Sequence, residues 1–195
     1  MALLKIFFSI FHGTEIQFHL HELQQISKVV YSEYPYLYEK HPSYDAYINS
    51  FPSLSESFIV IAYDKDKPIG MAIGCPMNEV WKFIPNYFNE DTSDMYHLAE
   101  LALLVEYRGQ GLGGKLYEIW ESHVPSHYKR FSLSCIEDSR YDAYKPKGYV
   151  SVNTLWKKLG YHHTDVQFNE DWIHVGETEF RPHNLVFWIK ARRDS

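Results

Sequence analysis

The sequence predicts a single mixed α/β domain spanning residues 1–195. Three observations predict it. At 195 residues, one domain with a sizeable core is the natural expectation. Hydrophobic residues make up 45% of the chain, which points to a packed globule rather than disorder. Strand-like and helix-like periodicities alternate, and the second half reads strand, loop, helix, strand, helix, strand.

Leu3 to Phe11 is rich in Ile and Phe and reads as a first strand, broken by His12-Gly13-Thr14. Leu20, Leu23, Ile26, Val29 and Val30 recur near helical spacing, giving a helix from about His19 to Ser32 that Pro35 stops. A proline-punctuated aromatic stretch follows, with a short helix around Ser43 to Ser50. Phe58 to Tyr63 and Ile69 to Cys75 flank the turn Asp64-Lys65-Asp66-Lys67 and form a hairpin. Asn78 to Asp94 is a polar loop with one helical turn. Tyr96 to Val105 is the strongest strand candidate. It runs into a glycine-rich loop, then a helix marked by Leu112, Leu116, Ile119, Trp120 and Val124 and ended by Pro125. Phe131 to Ile136 is the next strand. Val152, Leu155, Trp156 and Leu159 share one helix face, closed by Gly160. Tyr161 to Phe168 and Leu185 to Ala191 are the last strands, around a variable stretch.

A formal net charge of -6 argues against a general nucleic-acid binder, which needs a basic surface. Cys75 and Cys135 each sit in an apolar run and read as buried free thiols, which fits a reducing cytoplasm. No run approaches the ~18 apolar residues of a membrane helix, so no membrane partner is expected. His19 with His21, and His162 with His163, are too few to form a metal site, and none is expected. A homodimer is compatible with the sequence.

The segment Arg108-Gly109-Gln110-Gly111-Leu112-Gly113-Gly114-Lys115 carries the chemistry. Glycines let backbone approach a ligand with no Cβ in the way. The loop opens a helix, whose unpaired N–H groups and dipole favour an anion such as a pyrophosphate. Arg108 and Lys115 could add positive charge. A Walker loop needs Ser or Thr after the lysine, and Leu116 stands there. A dinucleotide fingerprint belongs after the first strand, whereas this motif lies past mid-chain behind a hairpin. A glycine-rich turn without a ligand is the plainer alternative.

Arg108-x-x-Gly111-x-Gly113 resembles the cofactor signature of the GNAT superfamily of acyl-CoA-dependent N-acyltransferases. The preceding hairpin and Asn153-Thr154-Leu155-Trp156-Lys157-Lys158-Leu159-Gly160-Tyr161 extend the resemblance over roughly Ser57 to Tyr161. Glu33 to Tyr38, Tyr107 to Gly111 and Asn184 to Trp188 are similar to a bacterial branch of that superfamily. The resemblance implies a mostly antiparallel central sheet with one splayed parallel strand pair and helices on both faces. It implies acetyl-CoA as acyl donor, with its pyrophosphate on the amides of Gly109, Gln110, Gly111, Leu112, Gly113 and Gly114. Arg108 belongs to the same loop. The pantetheine arm would lie along Leu101, Ala102, Leu103 and Val105, and Asn153 and Trp156 would line its far side. The partner is then a small-molecule or peptide amine.

Transfer to an amine needs a base, an oxyanion donor and a route for the departing thiolate. Glu100 is the candidate base, because a carboxylate inside an apolar strand is desolvated and its pKa rises. Alternation puts Leu98, Glu100, Ala102 and Leu104 on one sheet face. A structural ion pair is the alternative for Glu100. The oxyanion donor is expected to be a backbone N–H near Leu103. Many family members carry a tyrosine acid where this chain has Trp156, which is no practical acid. Tyr144, Tyr149, a water or no acid at all are the substitutes, with Tyr144 the named candidate. The acceptor pocket is expected from residues 34–47, 78–94, 140–149 and 168–180. A non-catalytic acyl-CoA-binding regulator and a nucleotide-binding protein are the competing functions.

Overall fold

A computed structural model describes residues 5–40, 44–79, 84–136 and 143–193. The parts of the expected acceptor segments at 41–43, 80–83 and 140–142 lie outside the described residues. The strands are β1 (Ile6–His12), β2 (Tyr38–Lys40), β3 (Phe58–Asp64), β4 (Lys67–Pro76), β5 (Met95–Leu103), β6 (Arg130–Ile136), β7 (His162–His174) and β8 (Phe180–Ala191). The helices are α1 (Leu20–Tyr31), α2 (Tyr44–Ser50), α3 (Leu112–His123) and α4 (Asn153–Leu159). All eight strands join one sheet in the order β1-β3-β4-β5-β6-β8-β7-β2. Among the described residues only the β5–β6 pair is parallel.

Both faces of the sheet are covered. α1 brings Leu23 and Ile26, and α2 brings Ile48, into one core with Ile59, Ile61, Met71 and Ile73. α3 brings Leu116, Tyr117 and Trp120, and α4 brings Trp156, into a second core with Val60, Ala72, Tyr96 and Phe131. The alternating register of β3 and β4 supplies both cores, as a period of two requires. Gly74 permits the closest approach. A Cβ there would meet His97 O at 2.5 Å and Trp120 Nε1 at 2.9 Å, so the indole lies on the strand only because glycine has none. Buried Lys190 of β8 reaches Glu121 of α3 at 2.5 Å and ties that helix to the sheet. Cys75 and Cys135 are buried free thiols. No helix among the described residues is long and apolar enough to cross a membrane.

The boundaries differ from the sequence reading in three places. β5 ends at Leu103, because Leu104 closes the ladder by donating to Ile69 O and a 3-10 turn, Val105–Tyr107, begins at once. Val105 therefore leaves the strand and opens the turn, 58% exposed. β7 and β8 are one long hairpin rather than two short strands around a variable stretch. Phe168, Trp172 and His174 keep a period-two inward pattern through it, and the polar residues between them mask that pattern in sequence. Three-residue β2 is the remaining addition, paired to β7 from within the tyrosine-rich stretch.

Candidate active site

β5 positions the site. β4 pairs with one edge along its length, but β6 pairs with the other only at Met95, Tyr96 and His97. Beyond His97 the parallel strands part. Leu104 N–H and Ala102 O face β4, so by alternation the amides of Leu101 and Leu103 face the open edge.

A bulge lies beside the point of parting. Ile73 stands opposite Glu100 and Gly74 opposite Leu98, which leaves Ala99 as the extra residue. Ala99 and Glu100 consequently line the same cavity, although they are sequence neighbours. Strict alternation fails here. Leu98 packs into the α3-side core, whereas Glu100 and Ala102 face α1 and α2. The backbone irregularity thus sits at Ala99, four residues before Leu103.

Glu100 is 6% exposed. Ser27 of α1 donates to its Oε2 at 2.6 Å, and Tyr44 of α2 donates to its Oε1 at 3.2 Å. No cation among the described residues pairs with it. Burial raises its pKa to about 7, partly offset by those two donors. The folded state therefore holds a proton that the unfolded chain has already released between pH 4.5 and 7. The stability this contributes is fully present below pH 4.5 and lost as pH rises through 7, about 3 kcal/mol over the window. Thermal melting followed from pH 5 to pH 8 should show this decline in the wild type and a flatter profile in Glu100→Gln. Parallel profiles would remove the desolvated carboxylate from the account.

A cavity opens over Glu100. Tyr36, Tyr38, Tyr44, Tyr47, Glu170 and Trp172 line it, so the 34–47 and 168–180 segments meet where the sequence reading expected a pocket. His97 lines it too, hydrogen-bonded through Nδ1 to Ser132 Oγ at 2.9 Å. Burial lowers its pKa to about 3, so it is a neutral ring at any working pH. Ser27 and Tyr31 are additions from α1, which was read only for its apolar stripe. The signal was present: Ser27 is a polar residue four positions after Leu23, on the buried face.

The glycine-rich loop follows β5. Gly109 and Gly111 have φ of +74° and +80°, and Gly111 caps α3. A Cβ at Gly109, Gly111, Gly113 or Gly114 would meet nothing within 4 Å. The first turn of α3 is therefore open, with its N–H groups unused by the preceding chain. That open, donor-rich end fits the pyrophosphate of a coenzyme A thioester. Arg108 does not reach toward it. Its Nε donates to Leu103 O at 2.8 Å and its Nη1 to Glu33 at 2.6 Å, so it fastens the loop to the end of α1. Exposed Lys115 lies 3.7 Å from Glu118.

Asn153 and Trp156 share one face of α4, three residues apart. Asn153 Oδ1 accepts from Cys135 of β6 at 3.5 Å, which sets this face beside the parted strand. Trp156 is buried, and its indole N–H has no hydrogen-bond partner among the described residues. Tyr144 is 62% exposed and does not line the cavity, so the structure does not bring it to Glu100. Tyr149 packs edge-on against Tyr34 at 4.7 Å. Glu177 is engaged by Arg181.

Residues 23–149 match the model of the acetyltransferase (GNAT) family. No curated protein sequence matches the chain. Among solved structures, the chain is similar to the ribosomal-protein-S18-alanine N-acetyltransferase from Escherichia coli, with a TM-score of 0.59 at 13% identity, covering 97% of this chain and 96% of that one. It is similar to Arabidopsis thaliana NAA60 in complex with a bisubstrate analogue, with a TM-score of 0.59 at 11% identity, covering 97% and 100%. It is also similar to a GNAT family acetyltransferase from Elizabethkingia anophelis with acetyl-CoA bound, with a TM-score of 0.52 at 16% identity, covering 95% and 98%. At these identities the structures establish the fold, and the family match extends that to kinship. The chain belongs to the GNAT acetyltransferase family.

Proposed function

We propose that the protein moves an acetyl group from acetyl-CoA to a primary amine by direct attack in a ternary complex, acting as one N-acetyltransferase domain over residues 1–195. Glu100 carries the reading. It is a buried carboxyl without a cationic partner among the described residues, set where β5 and β6 part and facing an aromatic-lined cavity.

Acetyl-CoA, when bound, supplies the thioester carbon that the amine attacks. The amides of residues 109–114 hold its pyrophosphate at the start of α3. The Leu101 and Leu103 amides pair with its pantetheine arm as an added strand would. Glu100, ionised near neutral pH, takes the proton from the amine directly or through a water. Ser27 and Tyr44 fix the carboxylate in place and keep its pKa from rising further. An N–H on the open β5 edge meets the developing oxyanion. Trp156 can donate a hydrogen bond near the departing thiolate but cannot give up a proton. This reading does not call on exposed Tyr144, and in it the thiolate leaves without a protein acid.

Direct attack leaves no covalent acetyl-enzyme, in keeping with two buried cysteines, of which Cys75 has its thiol pKa pushed well up by burial and by Glu79. Initial velocities should give intersecting double-reciprocal lines for acetyl-CoA and amine. Protein incubated with acetyl-CoA alone should show no added acetyl mass. Parallel lines with an acetylated cysteine would overturn the ternary complex. Acetyl-CoA binding without turnover of any amine would favour a regulatory module.

A further inference from the structure

The walls of the cavity are unusually rich in rings. Tyr31, Tyr36, Tyr38, Tyr44, Tyr47 and Trp172 all line it. They touch one another in a connected set: Tyr31 and Tyr36 at 4.9 Å between centroids, Tyr38 and Tyr44 at 5.6 Å, and Trp172 at 6.3 Å from both Tyr36 and Tyr38. Trp172 is fixed in place. Its indole N–H donates to Tyr36 O at 2.9 Å, and its ring stacks on His183 at 3.4 Å. The wall is therefore preorganised rather than a loose collection of side chains.

The floor, taken as the residues about Glu100, has a different character: His97, Ala99 and Ser134 line it, and Glu170 adds a second carboxylate to the cavity. None of these carries positive charge, since His97 is held neutral by burial. A carboxylate attached beside the reacting amine would face Glu100 with no lysine or arginine among the described lining residues to receive it. Free amino acids are thus poorly matched to this floor. A thin aliphatic chain would leave ring faces and edges unmet. A flat ring would make the offset and edge-on contacts that aromatic walls favour.

Resting on the acetyl-transfer reading above, we infer that the acceptor is an arylalkylamine: a primary amine on a short alkyl arm, ending in an aromatic ring and bearing no carboxylate beside the nitrogen. The nitrogen goes to Glu100 at the floor, and the ring goes to the wall of Tyr36, Tyr38 and Trp172.

The test is an acceptor panel of phenethylamine, phenylalanine, hexylamine and putrescine, with coenzyme A release followed at fixed pH. The kcat/KM for phenethylamine should exceed that for phenylalanine by about 10²-fold, and those for hexylamine and putrescine by about tenfold. Calorimetry of phenethylamine against the protein saturated with coenzyme A supplies a readout separate from turnover. Tyr36→Leu should weaken that binding about tenfold while hardly moving the affinity for hexylamine. Tyr38→Leu is the second variant, should the first fail to fold. Preference for phenylalanine or putrescine would overturn this assignment and leave acetyl transfer standing, as would equal loss of phenethylamine and hexylamine binding in the variants. Bound acetyl-CoA with no amine acetylated would overturn both.

Discussion

Glu100→Gln should lower turnover by about 10²–10⁴-fold, the usual worth of a general base. The substitution keeps the shape and removes the basicity. The affinity for acetyl-CoA should barely change, because Glu100 faces the α1 and α2 side while the phosphate-binding loop lies at the start of α3. In the wild type, kcat/KM should rise with pH through about 7, as Glu100 ionises in its buried site. The variant should lose that inflection. It should recover part of its rate at higher pH, where more of the amine arrives neutral. Because no cation among the described residues pairs with Glu100, the variant breaks no ion pair, and a collapse in stability is not expected. Near-normal turnover in a folded variant would sink the catalytic role. The partners offer an internal check: Ser27→Ala removes a donor that lowers the pKa of Glu100, so the acid limb should move upward.

Gly113→Leu should weaken acetyl-CoA binding by about 10- to 100-fold, the scale of losing charge-assisted hydrogen bonds to backbone amides. Gly113 is the cleaner position for this experiment. Gly111 has φ of +80°, where any side chain adds backbone strain. Gly113 carries no such strain, and its Cβ would enter open space over the first turn of α3. The fold should therefore survive while the side chain occupies the room a pyrophosphate needs. Calorimetric titration with acetyl-CoA, beside a melting curve, separates the two effects. Unchanged affinity in a well-folded variant would move the phosphate site away from this helix end.

The sequence was most legible where its physical signals agree. The turn into α3 could be read because glycine spacing, a preceding strand and a following helix all demand the same tight turn. The hairpin of β3 and β4 could be read because β-branched residues flank a polar turn. The candidate site was legible only in part. Glu100 stood out as a charge inside an apolar strand, but the bulge at Ala99 that turns it toward α1 has no local signature. Only tertiary pairing reveals that Ile73 faces Glu100 while Gly74 faces Leu98. Arg108 reads as a source of positive charge in the loop, and its bond to Glu33, 75 residues away in sequence, shows only in the fold. Tyr144 looked suitable by residue type alone, and its exposure is a property of the fold rather than of the segment. The β7–β8 hairpin escaped because Asn169, Glu170 and Asp171 break the apolar count while leaving the alternation of buried positions intact.

The central claim is that this chain joins an acetyl group to an amine using its own cavity and Glu100. A single-turnover experiment tests it most directly. Protein loaded with acetyl-CoA is mixed with excess phenethylamine, and amide and free coenzyme A are quantified together against time. The account predicts equal amounts of both, formed at one rate that Glu100→Gln slows by about 10²–10⁴-fold. Coenzyme A released without amide, or acetyl-CoA left intact by the wild type whatever amine is supplied, would contradict it.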